Sequence, residues 1–130
     1  MIRIVVSGLC AREICRLASE LGGERVAVHE AIDIAGATEV ARGQADYYFG
    51  ACATGAGGAL AMAIAILGYD QCFTASMVGC PPKTADIQAA VASGKRAFGF
   101  TADHVDSTVR LLMAAILAYH GELDNSEQRP

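Results

Sequence analysis

Apolar positions along the chain fall into two alternating patterns, short β-rich runs and longer stripes at helical spacing. Ile2-Arg3-Ile4-Val5-Val6-Ser7, closed by Gly8, predicts a first strand. Cys10 to Leu21 then sets Cys10, Ile14, Leu17, Ala18 and Leu21 on one helical face, with Gly22-Gly23 as the stop. The alternation repeats: Arg25 to His29 as strand, Asp33 to Arg42 as helix, Asp46 to Gly50 as strand, Ala56 to Leu67 as helix, Gln71 to Ala75 as strand. Ser76 to Lys83 breaks regular structure at Pro81-Pro82, and Thr84 caps a helix reaching Ser93-Gly94. Arg96 to Phe100 predicts a fifth strand. Thr101 or Asp103 caps a last helix from about Ala102 to His120, with Val105, Val109, Leu112, Ile116 and Leu117 on one face. Residues 122–130 read as a flexible polar tail behind a single domain of residues 1–121.

Strands and helices alternating at this period imply an α/β three-layer sandwich around a five-stranded parallel sheet. Right-handed crossovers leave few arrangements, and the expected one is flavodoxin-like or Rossmann-like with strand order 2-1-3-4-5. The first and third strands are then neighbours at the point where the order reverses. Ligands bind there, beyond the C-terminal ends of the strands. This sets the Ser7-Gly8 turn beside the turn that follows the third strand.

Composition narrows the partners. In 130 residues, 53% are hydrophobic and 18% charged, aromatic residues are 6% with no Trp, and the net charge is −4. An acidic chain without stacking platforms is a poor nucleic-acid binder. So apolar a domain is expected to bury surface between subunits, as a homodimer or larger homo-oligomer. The five cysteines contain no C-x-x-C pair and suit a reduced cytoplasm, and Met1-Ile2-Arg3-Ile4 opens a strand rather than a leader. Three scattered His and five scattered Cys lack ligand spacing, so neither a structural metal nor a cofactor is expected. Tyr47 to Tyr69 carries no charge and is long enough to span a bilayer. Gly50, Gly55, Gly57 and Gly58 divide it into a strand and a short helix, so no membrane insertion is expected.

The candidate chemistry lies in that same run. Asp46-Tyr47-Tyr48-Phe49-Gly50-Ala51-Cys52-Ala53-Thr54-Gly55-Ala56-Gly57-Gly58 reads as a buried strand entering a glycine-rich turn and then a helix. Helix-opening amides bind anions, so Thr54, Gly55, Ala56, Gly57 and Gly58 form a candidate cradle for a phosphate or carboxylate. Cys52 sits where a thiol's pKa is lowered, which suits a base or nucleophile. The same glycines would also serve tight packing of helix on sheet, with Cys52 as a small buried residue. Ser7 and Gly8 border the cradle, and Arg12 in the next helix's first turn could reach an anion, as could Lys83 after the two prolines. Either cation could equally be a solvated surface group. His104, at the same sheet edge, is the histidine best placed for acid–base work, with a surface or capping role as the alternative. Cys10 follows Gly8 and resembles a phosphocysteine loop, but a buried helix position fits it better.

Over nearly its whole length the chain resembles the YhfU-like bacterial family, whose function is not established. The resemblance rests on Gln44 to Gly57, on Leu60 to Tyr69, and on Gly94-Lys95-Arg96-Ala97-Phe98-Gly99-Phe100 followed by His104-Val105. Cys52-Ala53-Thr54-Gly55-Ala56-Gly57, preceded by Gly43-Gln44-Ala45-Asp46, is also similar to the C-G-T-G-x-G motif of ribose-5-phosphate isomerase B and galactose-6-phosphate isomerase. That similarity implies Cys52 as the base moving a proton between adjacent carbons, with Thr54 and the glycine amides holding an enediolate oxygen. Where those isomerases end the first strand in Asp-His, this chain has Ser7-Gly8, and their C-terminal phosphate-binding arginines have no clear match. Two functions are therefore expected of the site. One is an isomerase-like enzyme acting on a small anionic metabolite. The alternative is a non-catalytic metabolite-binding or accessory subunit of a metabolic or transport system.

Overall fold

In a computed structural model, which describes residues 1–53 and 58–128, five strands form one parallel sheet between two helical layers. The strands are β1 (Ile2–Gly8), β2 (Val26–Glu30), β3 (Tyr47–Cys52), β4 (Cys72–Thr74) and β5 (Ala97–Thr101). The helices are α1 (Ala11–Gly22), α2 (Asp33–Ala41), α3 (Gly58–Leu67), α4 (Thr84–Ala92) and α5 (Val105–Gln128). No helix among the described residues is long and apolar enough to cross a membrane.

The expected α/β class holds, with one correction to its order. The sheet runs β2-β1-β3-β5-β4, so β5 inserts between β3 and β4. Burial explains the exchange. Ala97, Phe98, Gly99, Phe100 and Thr101 are all buried, as a strand covered on both faces must be. The three-residue β4 grades from buried Cys72 to exposed Thr74, which suits an edge. Phe98 packs edge-on between Phe49 and Phe73, fixing β5 in the middle. β1 and β3 remain neighbours, so the switch point stands where it was expected.

The two faces of the sheet differ in the size of what they bury. One carries Ile4, Val6, Phe49, Phe98 and Phe100 beneath α1, α4 and α5. The other carries Val5, Tyr48 and Ala97 beneath α2 and α3, and its helices approach closely through small residues such as Ala37 and Ala63. Gly36 of α2 belongs to this packing. A Cβ there would stand 3.0 Å from the Tyr48 ring, so a side chain would push the helix off the sheet.

Two further differences concern ends of elements. Cys10 lies ahead of α1, exposed and left-handed at φ 58°, rather than on the helix's buried face. A left-handed residue cannot belong to a right-handed helix, so α1 starts only at Ala11. α5 runs on through Gln128, past His120 and into the polar segment.

Candidate functional site

Strand alternation and register place three rows of side chains on the α2/α3 face. Val5, Tyr48 and Ala97 form the first row, and Ser7, Gly50 and Gly99 the second. Cys52 and Thr101 form the third, at the C-terminal edge of the sheet. The second row is nearly bare of side chains, so neighbours fill it. Leu60 of α3 covers Gly99, where a Cβ would meet it at 3.0 Å. The Tyr48 hydroxyl reaches across to Ser7 Oγ at 2.6 Å, and both residues are buried. Asp33, at the first position of α2, faces the same hydroxyl and favours its protonated form through charge and hydrogen bonding. Burial is the largest cause, the Ser7 hydrogen bond opposes it, and the phenol is on balance pushed up to about 12.

At the edge itself, polar groups outnumber their partners. Ser76 Oγ accepts from the Thr101 amide at 3.3 Å and from the Thr108 hydroxyl at 3.2 Å. Thr101 Oγ1 is buried and makes no hydrogen bond. His104 follows in a single 3-10 turn over Ala102–His104. Its Nε2 lies 3.3 Å from Asp103 Oδ2, within ion-pair reach but out of line for a hydrogen bond, and that nitrogen too has none. A buried hydroxyl left without a partner costs about 1–3 kcal/mol, so such atoms are uncommon in folded chains. Here two stand close in sequence at the end of β5.

Beside this edge opens a cleft of about 660 Å³, lined by Gly8 and Ala11, by Glu30, Ala31, Ile32, Asp33 and Ile34, and by Met62 of α3. Gly8 sits at φ +86°, and a Cβ on it would collide with the Ala51 carbonyl oxygen. The Leu9 amide donates to that same oxygen at 3.0 Å. A residue without a side chain is required there because β1 and β3 converge on one carbonyl.

The structure brings together Ser7, Gly8 and Cys52 on β1 and β3, places Thr101 one strand away at the end of β5, and sets His104 in the 3-10 turn that follows it. Cys52 is the half-buried last residue of β3. Arg12 is exposed, and among the described residues the cleft takes Ala11 from that turn instead. Lys83 is exposed ahead of α4, where it borders a separate hollow of about 150 Å³ with Ser76, Cys80 and Asp86. The exchange of β4 and β5 is what carries Lys83 outward. Thr54, Gly55, Ala56 and Gly57 lie outside the described residues, and Gly58 opens α3. No motif in the sequence marks Tyr48, Asp33, Ser76 or Thr101 for chemistry. The signal available for them was a glycine in each of two facing strands, which marks a place where other groups crowd the backbone.

Residues 2–116 match the profile of a family described as protein of unknown function DUF2620. The chain belongs to this family. Uncharacterized protein YhfU of Escherichia coli (strain K12) is 39% identical over 115 residues, covering 87% of this chain and 97% of that protein. The YhfU protein of Shigella flexneri matches to the same extent. Among solved structures, ribose-5-phosphate isomerase B from Giardia lamblia superposes with a TM-score of 0.62, over 90% of this chain and 94% of that one. At 16% identity that likeness establishes a shared fold. The expected kinship with the YhfU-like family and the expected fold relation to the isomerase both hold.

Proposed function

We propose that this DUF2620 protein binds a small phosphorylated or carboxylated metabolite at the C-terminal edge of its sheet, and that Cys52 moves a proton on it. The observation that carries this reading is the register pair Cys52–Thr101: a thiol facing a buried hydroxyl that has no partner, with His104 Nε2 three residues on. Unspent buried polar groups beside a nucleophilic side chain, at a switch point, are a site waiting for a polar ligand. In this reading the glycine-rich segment 54–57, which lies outside the described residues, is assigned the anion on its sequence alone, and Cys52 and His104 serve as base and acid. The fold shared with ribose-5-phosphate isomerase B supports the choice of reaction class, a proton shift between adjacent carbons.

The test uses ribose 5-phosphate and inorganic phosphate. In deuterium oxide, the wild-type protein incorporates deuterium at C2 of ribose 5-phosphate, and Cys52→Ser abolishes incorporation while leaving phosphate binding by calorimetry unchanged. Incorporation that survives Cys52→Ser overturns the catalytic role. Absence of phosphate binding overturns the site. Ser7-Gly8, in place of the Asp-His pair of the isomerases this chain resembles, favours a second reading, a binding or accessory subunit without turnover. Phosphate binding with no incorporation selects it. Either reading includes a cytoplasmic location and a homo-oligomer, the latter supported by Ile32 and Ile34 at the cleft wall, 75% and 55% exposed. A monomeric mass by light scattering would refute that part.

A further inference from the structure

The Asp33 carboxylate stands on the wall of the 660 Å³ cleft with two buried hydroxyls behind it. Proton counting sets the direction of that chain. A tyrosine hydroxyl has one proton to give, and a carboxylate only accepts. Tyr48 keeps its proton, since its pKa is pushed up to about 12. It therefore donates to Asp33, and Ser7 must donate to Tyr48 across the 2.6 Å contact. This chain engages the carboxylate of a residue that also lines the cleft.

The wall also restricts what the cleft admits. Glu30 and Asp33 both line it, so a phosphate or carboxylate is repelled from this part of the crevice. Ile32, Ile34 and Met62 complete it with apolar surface. A carboxylate beside aliphatic side chains suits a chain of carbons bearing hydroxyl groups, with O–H donating to Asp33 and C–H faces packing on the side chains. Gly8 connects the two parts, because it lines the cleft and pairs with Ala51, the residue before Cys52.

We infer that Asp33 is the specificity-determining residue of the ligand site, accepting a hydroxyl of a polyhydroxylated metabolite whose anionic end is taken by the anion site proposed beside Cys52, with Tyr48 and Ser7 as its positioning residues. This deepens the proposed function and rests on it. The measurement is the ratio of affinities for ribose 5-phosphate and inorganic phosphate, by calorimetry on the full chain. Wild type is expected to bind the sugar phosphate at least about tenfold tighter than phosphate, one charge-assisted hydrogen bond's worth. Asp33→Asn removes most of that ratio and leaves phosphate binding no weaker, since a negative charge has gone. Tyr48→Phe and Ser7→Ala each lower the ratio by a smaller factor at an unchanged phosphate affinity, and Ser7→Thr restores it. A purely structural role would move both ligands together.

Equal affinity of the wild type for the two ligands overturns the inference while sparing the anion site. Asp33→Asn weakening both ligands equally also overturns it. No phosphate binding in the wild type overturns the underlying reading, and this inference with it. Should Tyr48→Phe fail to fold, the Ser7→Ala and Ser7→Thr pair gives the same comparison.

Discussion

The two ends of the sheet each open a cleft of similar size, about 660 Å³ at the C-terminal end and about 590 Å³ at the N-terminal end. They treat their polar groups in opposite ways. At the N-terminal end, Asp46 accepts from the Arg3 amide at 2.8 Å, and the Arg3 guanidinium donates to Gly43 O at 2.8 Å. Arg25 donates to Leu117 O at 2.9 Å, the Tyr47 hydroxyl meets His120 Nε2 at 2.8 Å, and Arg96 donates to Gln71 Oε1 at 3.0 Å. At the other end, Thr101 Oγ1 and His104 Nε2 have no hydrogen bond. Cleft size does not separate the two. Expenditure of hydrogen bonds does: one end uses its polar atoms to clamp strands and helix ends together, and the other holds some in reserve.

The largest way to test this contrast is alkaline titration, because buried acids sit at both ends. Tyr47 and Tyr48 are each pushed up from 10 to about 12, and Cys15 from 9 to about 11, in each case mainly by burial. A raised acid pKa means the unfolded chain releases its protons first. Stability is thus full below about pH 9 and falls as pH rises through 11 to 12. Circular dichroism against pH should show this loss, and Tyr47→Phe or Tyr48→Phe should each make it shallower. An unchanged slope in both variants would contradict the burial of these hydroxyls.

Next in size is Gly8→Ala, which forces a side chain against the Ala51 carbonyl at a positive φ. It should destabilise the chain by about 2–4 kcal/mol in urea unfolding. Smaller and opposite in sign are two paired substitutions. Arg3→Ala should cost about 1 kcal/mol, since its bonds are partly exposed, and leave phosphate affinity unchanged. Thr101→Val replaces an unpartnered buried hydroxyl with a methyl of similar shape. It should gain about 1 kcal/mol while weakening phosphate binding. If Thr101→Val destabilises the chain and leaves binding intact, the reserve at the C-terminal end is not functional.

The sequence patterns identified the alternating elements, because buried strands and helices have different apolar periods and glycines stop the helices where the chain turns. β1 beside β3 followed from crossover rules and proved correct. The order of β4 and β5 did not, since adjacency in sequence competes with total burial. Burial prevails once Phe98 must stack between Phe49 and Phe73. In the candidate site, Ser7, Gly8, Cys52 and His104 were legible from their positions beside glycine or at a strand end. Tyr48 and Asp33 were not, because one reads as core and the other as a helix start. Their meeting depends on the gap above Gly50, which exists only when three strands are in register.

The interior position of β5 also governs the order in which the molecule can assemble. Ribosomal synthesis delivers β1, β2 and β3 early, and these already pair with one another. β4 emerges next, yet its ladder partner in the sheet is β5, still some twenty residues behind it. The nascent chain must therefore wait with β4 undocked and one side of β3 bare until Ala97–Thr101 slides between them. Completion of the sheet, and of the edge where Cys52 meets Thr101, thus comes late in its biogenesis, ahead only of the docking of α5.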